Sequence, residues 1–257
     1  MVVIALKEEA SPELEKIASR IHWVSLGELS KAIDLMHKEG VTHAVMAGQV
    51  KHNKIFSSIR PDWKLAKLLF SLPRKNTDAL ISAVASVLED EGIRLVDSTL
   101  FLKPLVPELG VLTRRAPDDR ESADIAYGLS VARSIAGMDI GQTVVISDCA
   151  CVAVEAMEGT DEAVARAARI AAGKPLIVVK VSKPGQDMRF DVPVVGLTTI
   201  EHMASLGVTA LAVDAERTLF FDRAQLIALA DAKDLAIQAF SPPTAEPKAT
   251  RTGMKQE

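Results

Sequence analysis

The chain has 257 residues, 48% of them hydrophobic and 25% charged, the proportions of a folded globular protein rather than a disordered or fibrous one. Thirty Lys and Arg against 34 Asp and Glu give a net charge of -4, and aromatics make up only 4%, so neither a basic field nor a stacking platform is offered to nucleic acid. Charges interrupt every apolar stretch well short of the ~18 residues that span a bilayer, and residues 1–6 run directly into Lys7-Glu8-Glu9 without a secretory leader, so the expectation is a cytoplasmic protein.

In chain order, residues 2–6 predict a strand, and Ser11-Pro12-Glu13 has the form of a helix start with proline in the first turn. Residues 21–24 predict a second strand, 27–40 a helix closed by glycine, and 41–47 a third strand. Helical spacing returns over 63–70 and 78–91, and 93–96 is again strand-like. Alternating strands and helices predict an α/β protein whose N-terminal half is Rossmann-like, with a mostly parallel sheet.

Pro104 and Pro107 suit a linker, which places a boundary near residue 108 between an N-terminal domain (1–108) and a C-terminal mixed α/β domain (109–240). Within the latter, 118–137 predicts a helix, and 144–146 with 152–156 a hairpin around Ser147-Asp148. Thr160 is placed to cap a helix that runs to about residue 172, with Asp161 and Glu162 in its first turn. Residues 176–181 form the most buried-looking strand and lead into the polar loop Ser182-Lys-Pro-Gly-Gln-Asp-Met-Arg-Phe-Asp191. Strands over 192–195, 208–213 and 218–221, a helix over 198–206 and an Asp222-capped helix to 232 complete the domain, and the polar segment 241–257 reads as a disordered tail.

Cys149 and Cys151, two apart, lack the spacing of a redox pair or a zinc half-site and are expected to be buried thiols, while the five histidines show no ligand spacing. Phosphate-loop, dinucleotide, nucleophile-elbow and zinc-protease patterns are all absent. What remains is a density of charged and polar residues at expected loop ends: Glu155, Glu158, Thr160 and Asp161 after one strand, and Lys180, Lys183, Gln186, Asp187, Arg189 and Asp191 around another. Cations of this kind neutralise phosphate oxygens and carboxylates hold Mg²⁺ or orient water, although a surface salt-bridge cluster has the same composition. On strand parity Glu155 and Glu158 point opposite ways unless the strand ends between them, and Asp187 and Asp191 are free to converge across the Pro-Gly loop. Gly48 and Gln49 follow an expected strand, at the carboxyl end where open α/β sheets take ligands.

Four blocks, Met46-Ala-Gly-Gln-Val50, Asp139-Ile-Gly-Gln-Thr-Val-Val145, Val154-Glu-Ala-Met-Glu-Gly-Thr-Asp161 and Lys180-Val-Ser-Lys-Pro-Gly-Gln-Asp-Met-Arg-Phe-Asp-Val-Pro193, closely resemble the LpxI-type UDP-2,3-diacylglucosamine pyrophosphatases, and the likeness spans residues 1 to about 240. The resemblance implies a Mg²⁺-dependent enzyme of lipid A biosynthesis that cleaves UDP-2,3-diacylglucosamine to UMP and 2,3-diacylglucosamine 1-phosphate, with water directed at the β-phosphorus and an essential aspartate. That role is carried over to Asp191, with Asp187 as its partner in catalysis and metal binding. Gly48, Gln49, Glu155, Glu158, Thr160, Asp161, Lys180, Lys183, Gln186 and Arg189 are carried over as substrate and phosphate contacts. An acylated substrate implies transient peripheral contact with the inner membrane, and assembly as a homo-oligomer stays open. Against the family pattern, the chain begins where a second strand is expected, so one β-α unit, and with it a central strand of the first domain, is expected to be missing. The alternatives are a nucleotide-sugar binding module without turnover and a purely structural protein. The calcineurin-like enzymes of the same net reaction carry Asp-x-His and Gly-Asn-His-Asp blocks that this chain lacks.

Overall fold

A computed structural model describes residues 1–48, 60–72, 77–190 and 192–243. Gln49, Asp191 and the expected tail beyond residue 243 lie outside the described residues. The chain forms two compact units: residues 1–100 together with 188–190, and residues 101–187 together with the chain from Val192 onward.

The first unit opens with β1 (Val2–Leu6), a one-turn α1 (Leu14–Ile17) and β2 (Arg20–Val24), the two strands pairing in parallel from Val2 opposite Arg20 to Leu6 opposite Val24. After α2 (Leu29–Lys38), β3 (His43–Ala44) pairs in parallel with β4 (Arg94–Leu95), and α3 (Trp63–Ser71) and α4 (Thr77–Asp90) lie between them in sequence. Both pairings are parallel, as the alternating pattern predicts. Among the described residues, however, they are separate two-stranded sheets rather than one continuous sheet. Ile33, Leu88, Ile93, Leu95 and Phe190 form one core, and Leu65, Leu68 and Leu80 a second. Asp62 caps α3 by accepting from the Leu65 N–H at 2.9 Å, and its other oxygen accepts from the Ser30 N–H in the first turn of α2. One carboxylate thereby satisfies orphan donors at two helix starts.

The second unit is built on a six-stranded mixed sheet. Its strands are β5 (Gly110–Val111), β6 (Thr143–Ser147), β7 (Ala150–Val154), β8 (Leu176–Lys180), β10 (Val208–Asp214) and β12 (Ala236–Phe240), in the order β5-β12-β10-β8-β6-β7. The central strands β12, β10 and β8 run parallel, and β5, β6 and β7 are antiparallel to their neighbours. A separate small parallel pair joins β9 (Val194–Val195) to β11 (Leu219–Phe220).

The period of two along each strand divides the core into two layers. Val144, Ile146, Ile177, Val179, Ala210, Ala212 and Ala236 face α5 (Asp119–Gly137) through Ile125, Ala132 and Ala136. Val145, Val178, Leu211, Val213, Ile237 and Ala239 face the other way and are covered by α6 (Thr160–Ala171), α7 (Leu197–Ser205) and α8 (Arg223–Ala232). Each fully buried Leu, Ile or Val here contributes about 1.5 to 3 kcal/mol of transfer free energy, so this sheet is the rigid platform of the unit. α5 lies flush against it because Gly128 carries no side chain: a Cβ there would stand 2.6 Å from Val179 Cγ2 and 2.9 Å from Ile146 Cγ1.

Several local expectations need correction. The hairpin forms, but β7 starts at Ala150, because Asp148 and Cys149 both take positive φ in a two-residue turn whose N–H groups the buried Asp124 accepts. Cys149 is therefore exposed at the turn and only Cys151 is half-buried. Thr160 is the first helical residue rather than the cap, which is Gly159 with no side-chain bond, and Asp222 likewise precedes α8 without a capping hydrogen bond. β5 and β12 were not expected, and β9 is confined to Val194 and Val195.

Candidate functional site

The carboxyl end of β8 is where the second unit gathers its charged groups. Lys180, last in the strand, points its ammonium to Thr160 Oγ1 at 2.8 Å and lies 3.5 Å from Thr143 Oγ1. Thr160 in turn donates to Glu155 Oε1 at 2.9 Å. Three separate sequence blocks, 139–145, 154–161 and 180–193, thus supply one half-buried network of a cation, two hydroxyls and a carboxylate.

The approach of these blocks has a steric cause. Gly141 packs so tightly on the start of the 155–159 loop that a Cβ would fall 1.9 Å from the Glu155 carbonyl oxygen, and the Glu155 N–H donates to Thr143 O at 2.9 Å. No side chain larger than hydrogen fits there without displacing the backbone that carries Glu155 and Thr160. Glu158 does not join the network. Its carboxylate accepts from the Ala156 N–H at 3.0 Å and from Arg166 at 2.6 Å, and its own backbone N–H followed by Arg166 holds it below the usual glutamate range. Both glutamates lie past the end of β7, so strand parity does not govern them. Asp161 faces a shallow groove with Thr198, Glu201, His202 and Ser205, its Oδ1 3.8 Å from His202 Nδ1.

The loop after β8 turns at Lys183-Pro-Gly-Gln186, closed by the Gln186 N–H on Lys183 O at 2.9 Å and by the Lys183 N–H on Gln186 Oε1 at 3.1 Å. Lys183 Nζ reaches Asp139 Oδ1 at 2.8 Å. The turn presents Lys183 and Asp187 on the same unit as Lys180. Gly48 and Arg189 belong instead to the first unit, where Ser98 Oγ lies 2.8 Å from Met46 O and 2.6 Å from Arg189 O, and the Ser98 N–H donates to Met188 O at 2.8 Å. Ser98 therefore fastens residues 188–190 to the strand end that leads into Gly48. Arg189 also stacks its guanidinium 5.8 Å from the Phe190 ring centre, and Phe190 is buried in the core of that unit.

Thr143, Asp139 and Ser98 were not foreseen as partners. The signal for the first two was their place in a block matching the family, while Ser98 carries none. Among the described residues no three His, Cys, Asp or Glu side chains converge as a metal cage. Asp187 carries a hard oxygen donor of the kind Mg²⁺ takes, and Mg²⁺ is commonly held by one or two carboxylates plus substrate phosphates rather than by an all-protein cage.

The family model of the LpxI N-terminal domain matches residues 1–105, and that of the LpxI C-terminal domain matches residues 108–238. The UDP-2,3-diacylglucosamine pyrophosphatase LpxI of Caulobacter vibrioides is 32% identical over 250 residues, covering 93% of this chain and 88% of the relative. With family models over nearly its whole length and a relative of that similarity, the chain belongs to the LpxI family.

Proposed function

We propose that this chain hydrolyses the pyrophosphate bond of UDP-2,3-diacylglucosamine to UMP and 2,3-diacylglucosamine 1-phosphate, a step of lipid A biosynthesis. The observation that carries it is the match to the LpxI family over nearly the whole chain together with a pyrophosphatase relative. Water forms the new P–O bond at the β-phosphorus, the bridging oxygen leaves with UMP, and the water proton is released.

Charge builds on the phosphate oxygens as the bridge breaks, and Lys180, Lys183 and Arg189 are the proposed cations against it. Gly48, Gln49, Gln186, Glu155, Glu158, Thr160 and Asp161 complete the proposed contacts, with Glu155 acting through Thr160 on Lys180. Asp191 is the proposed essential carboxylate with Asp187 as its partner. These two would hold Mg²⁺, which when bound supplies Lewis-acid stabilisation of the diphosphate.

Met138, Ile140 and Met157, near Gly141 and Glu155 in sequence, are exposed apolar side chains, which supports an acylated substrate and peripheral membrane contact. No helix among the described residues is long and apolar enough to cross a membrane. A cytoplasmic location, a Rossmann-like first domain and homo-oligomer assembly belong to the same proposal. The test is incubation of the purified chain with UDP-2,3-diacylglucosamine and either Mg²⁺ or EDTA. UMP release with Mg²⁺ alone is expected, whereas substrate binding without release in both conditions would leave a nucleotide-sugar binding module.

A further inference from the structure

β10 ends on Asp214, a carboxylate with no solvent exposure, set beside the point where β8 gives way to the Lys183-Pro-Gly-Gln186 turn. Its Oδ2 accepts two hydrogen bonds, from the N–H and from the hydroxyl of Ser182, both at 2.7 Å. Ser182 is itself fully buried. The second oxygen, Oδ1, is buried with no hydrogen-bond partner among the described residues.

Such a group works against folding. Burial pushes the Asp214 carboxyl above its usual range, the two Ser182 donors pull it back, and Arg133 and Arg217 add only longer-range attraction. A carboxylate with one oxygen unsatisfied in a dry interior is costlier than an apolar residue of similar size, so its cost calls for a local return. That return is visible in what Ser182 precedes. The residue immediately before Lys183 is held at its N–H and its hydroxyl by a single acceptor on the rigid central strand, and five residues later the loop reaches Asp187.

We propose that Asp214, acting through Ser182, is a positioning residue that fixes where the loop carrying Lys183, Gln186 and Asp187 leaves the sheet. The role in catalysis rests on the pyrophosphatase reading; the role in ordering the loop does not. Preorganised charge is effective only when held within a fraction of an ångström, and the strand end supplies that reference.

Asp214→Asn keeps the shape and an acceptor but removes the charge that strengthens both bonds, and Ser182→Ala removes one of the two donors. In each variant kcat for UMP release falls roughly tenfold while KM stays within about twofold, and the double variant falls no further than the worse single one, since all three act through one link. Amide exchange at residues 183–187 rises about tenfold with β8 and β10 unchanged. Wild-type kcat and wild-type exchange in both variants would overturn the proposal. So would faster exchange spread across β8 and β10 with a matching fall in melting temperature, which marks a purely structural carboxylate. Should the unaltered chain release no UMP, the pyrophosphatase reading falls and exchange alone decides: acceleration confined to 183–187 sustains the positioning role, and no change removes it.

Discussion

Thr160 is a small residue with a large share of the local arrangement, because its single hydroxyl accepts from Lys180 and donates to Glu155. Thr160→Val preserves the volume and removes both bonds, leaving Lys180 and Glu155 without the group that relates them. Its measured kcat/KM should drop about tenfold or more, with a stability loss of only ~1 kcal/mol by thermal melting. A second residue-scale test concerns pH. Burial raises the Glu121 carboxyl, but hydrogen bonds from Arg115, at 2.6 and 3.0 Å, and from the Asp118 N–H outweigh it and leave the group below the usual glutamate range. A depressed folded-state pKa stabilises the protein fully above the unfolded value, about 4.3, and the contribution disappears as pH falls through the folded value. Glu121→Gln should therefore be less stable than the parent at pH 7, with the two denaturation midpoints converging toward acid. Equal midpoints at pH 7 would contradict the assignment. Nothing in the residue pattern announced this pair beyond an acid three positions after Asp118, the spacing of a capping box that the structure forms.

At the scale of elements, α5 depends on contact with the sheet more than on its own amphipathicity. Ala210, Ala212 and Ala236 keep the sheet low beneath it and Gly128 lets it descend. Gly128→Ala raises helix propensity yet places a methyl within van der Waals radii of Val179 and Ile146, so a net loss of about 1 to 3 kcal/mol is expected from chemical denaturation. A stabilised variant would show that the helix can shift outward. The long helices and buried strands were legible because their periods persist over many residues. β12 escaped because Ala236-Ile-Gln-Ala-Phe240 follows α8 after a three-residue turn and resembles its continuation, and β5 because two residues carry no period. The first unit's strands were legible as parallel, but pairing between non-neighbouring elements leaves no local trace, so their division, among the described residues, into two small sheets was not.

Across the whole molecule, the sequence blocks that resemble the family are the segments that meet at the end of β8 and around Ser98. Spacing alone could not bring Thr143, Thr160 and Lys180 together, since that requires the sheet order that places β6 beside β8. Nor could it show that residues 188–190 group with the first unit while Asp187 groups with the second. The gathering of charged residues on the loop after β8 was legible. The buried Asp214 was not, because a lone acid closing an apolar strand looks like an ordinary strand end. The account as a whole is tested most directly by hydrolysing UDP-2,3-diacylglucosamine in ¹⁸O-labelled water with the chain and with Asp191→Ala. The predicted result is label in 2,3-diacylglucosamine 1-phosphate, none in UMP, and a turnover at least about 100-fold lower in the variant. Label in UMP, or undiminished turnover by Asp191→Ala, would contradict it.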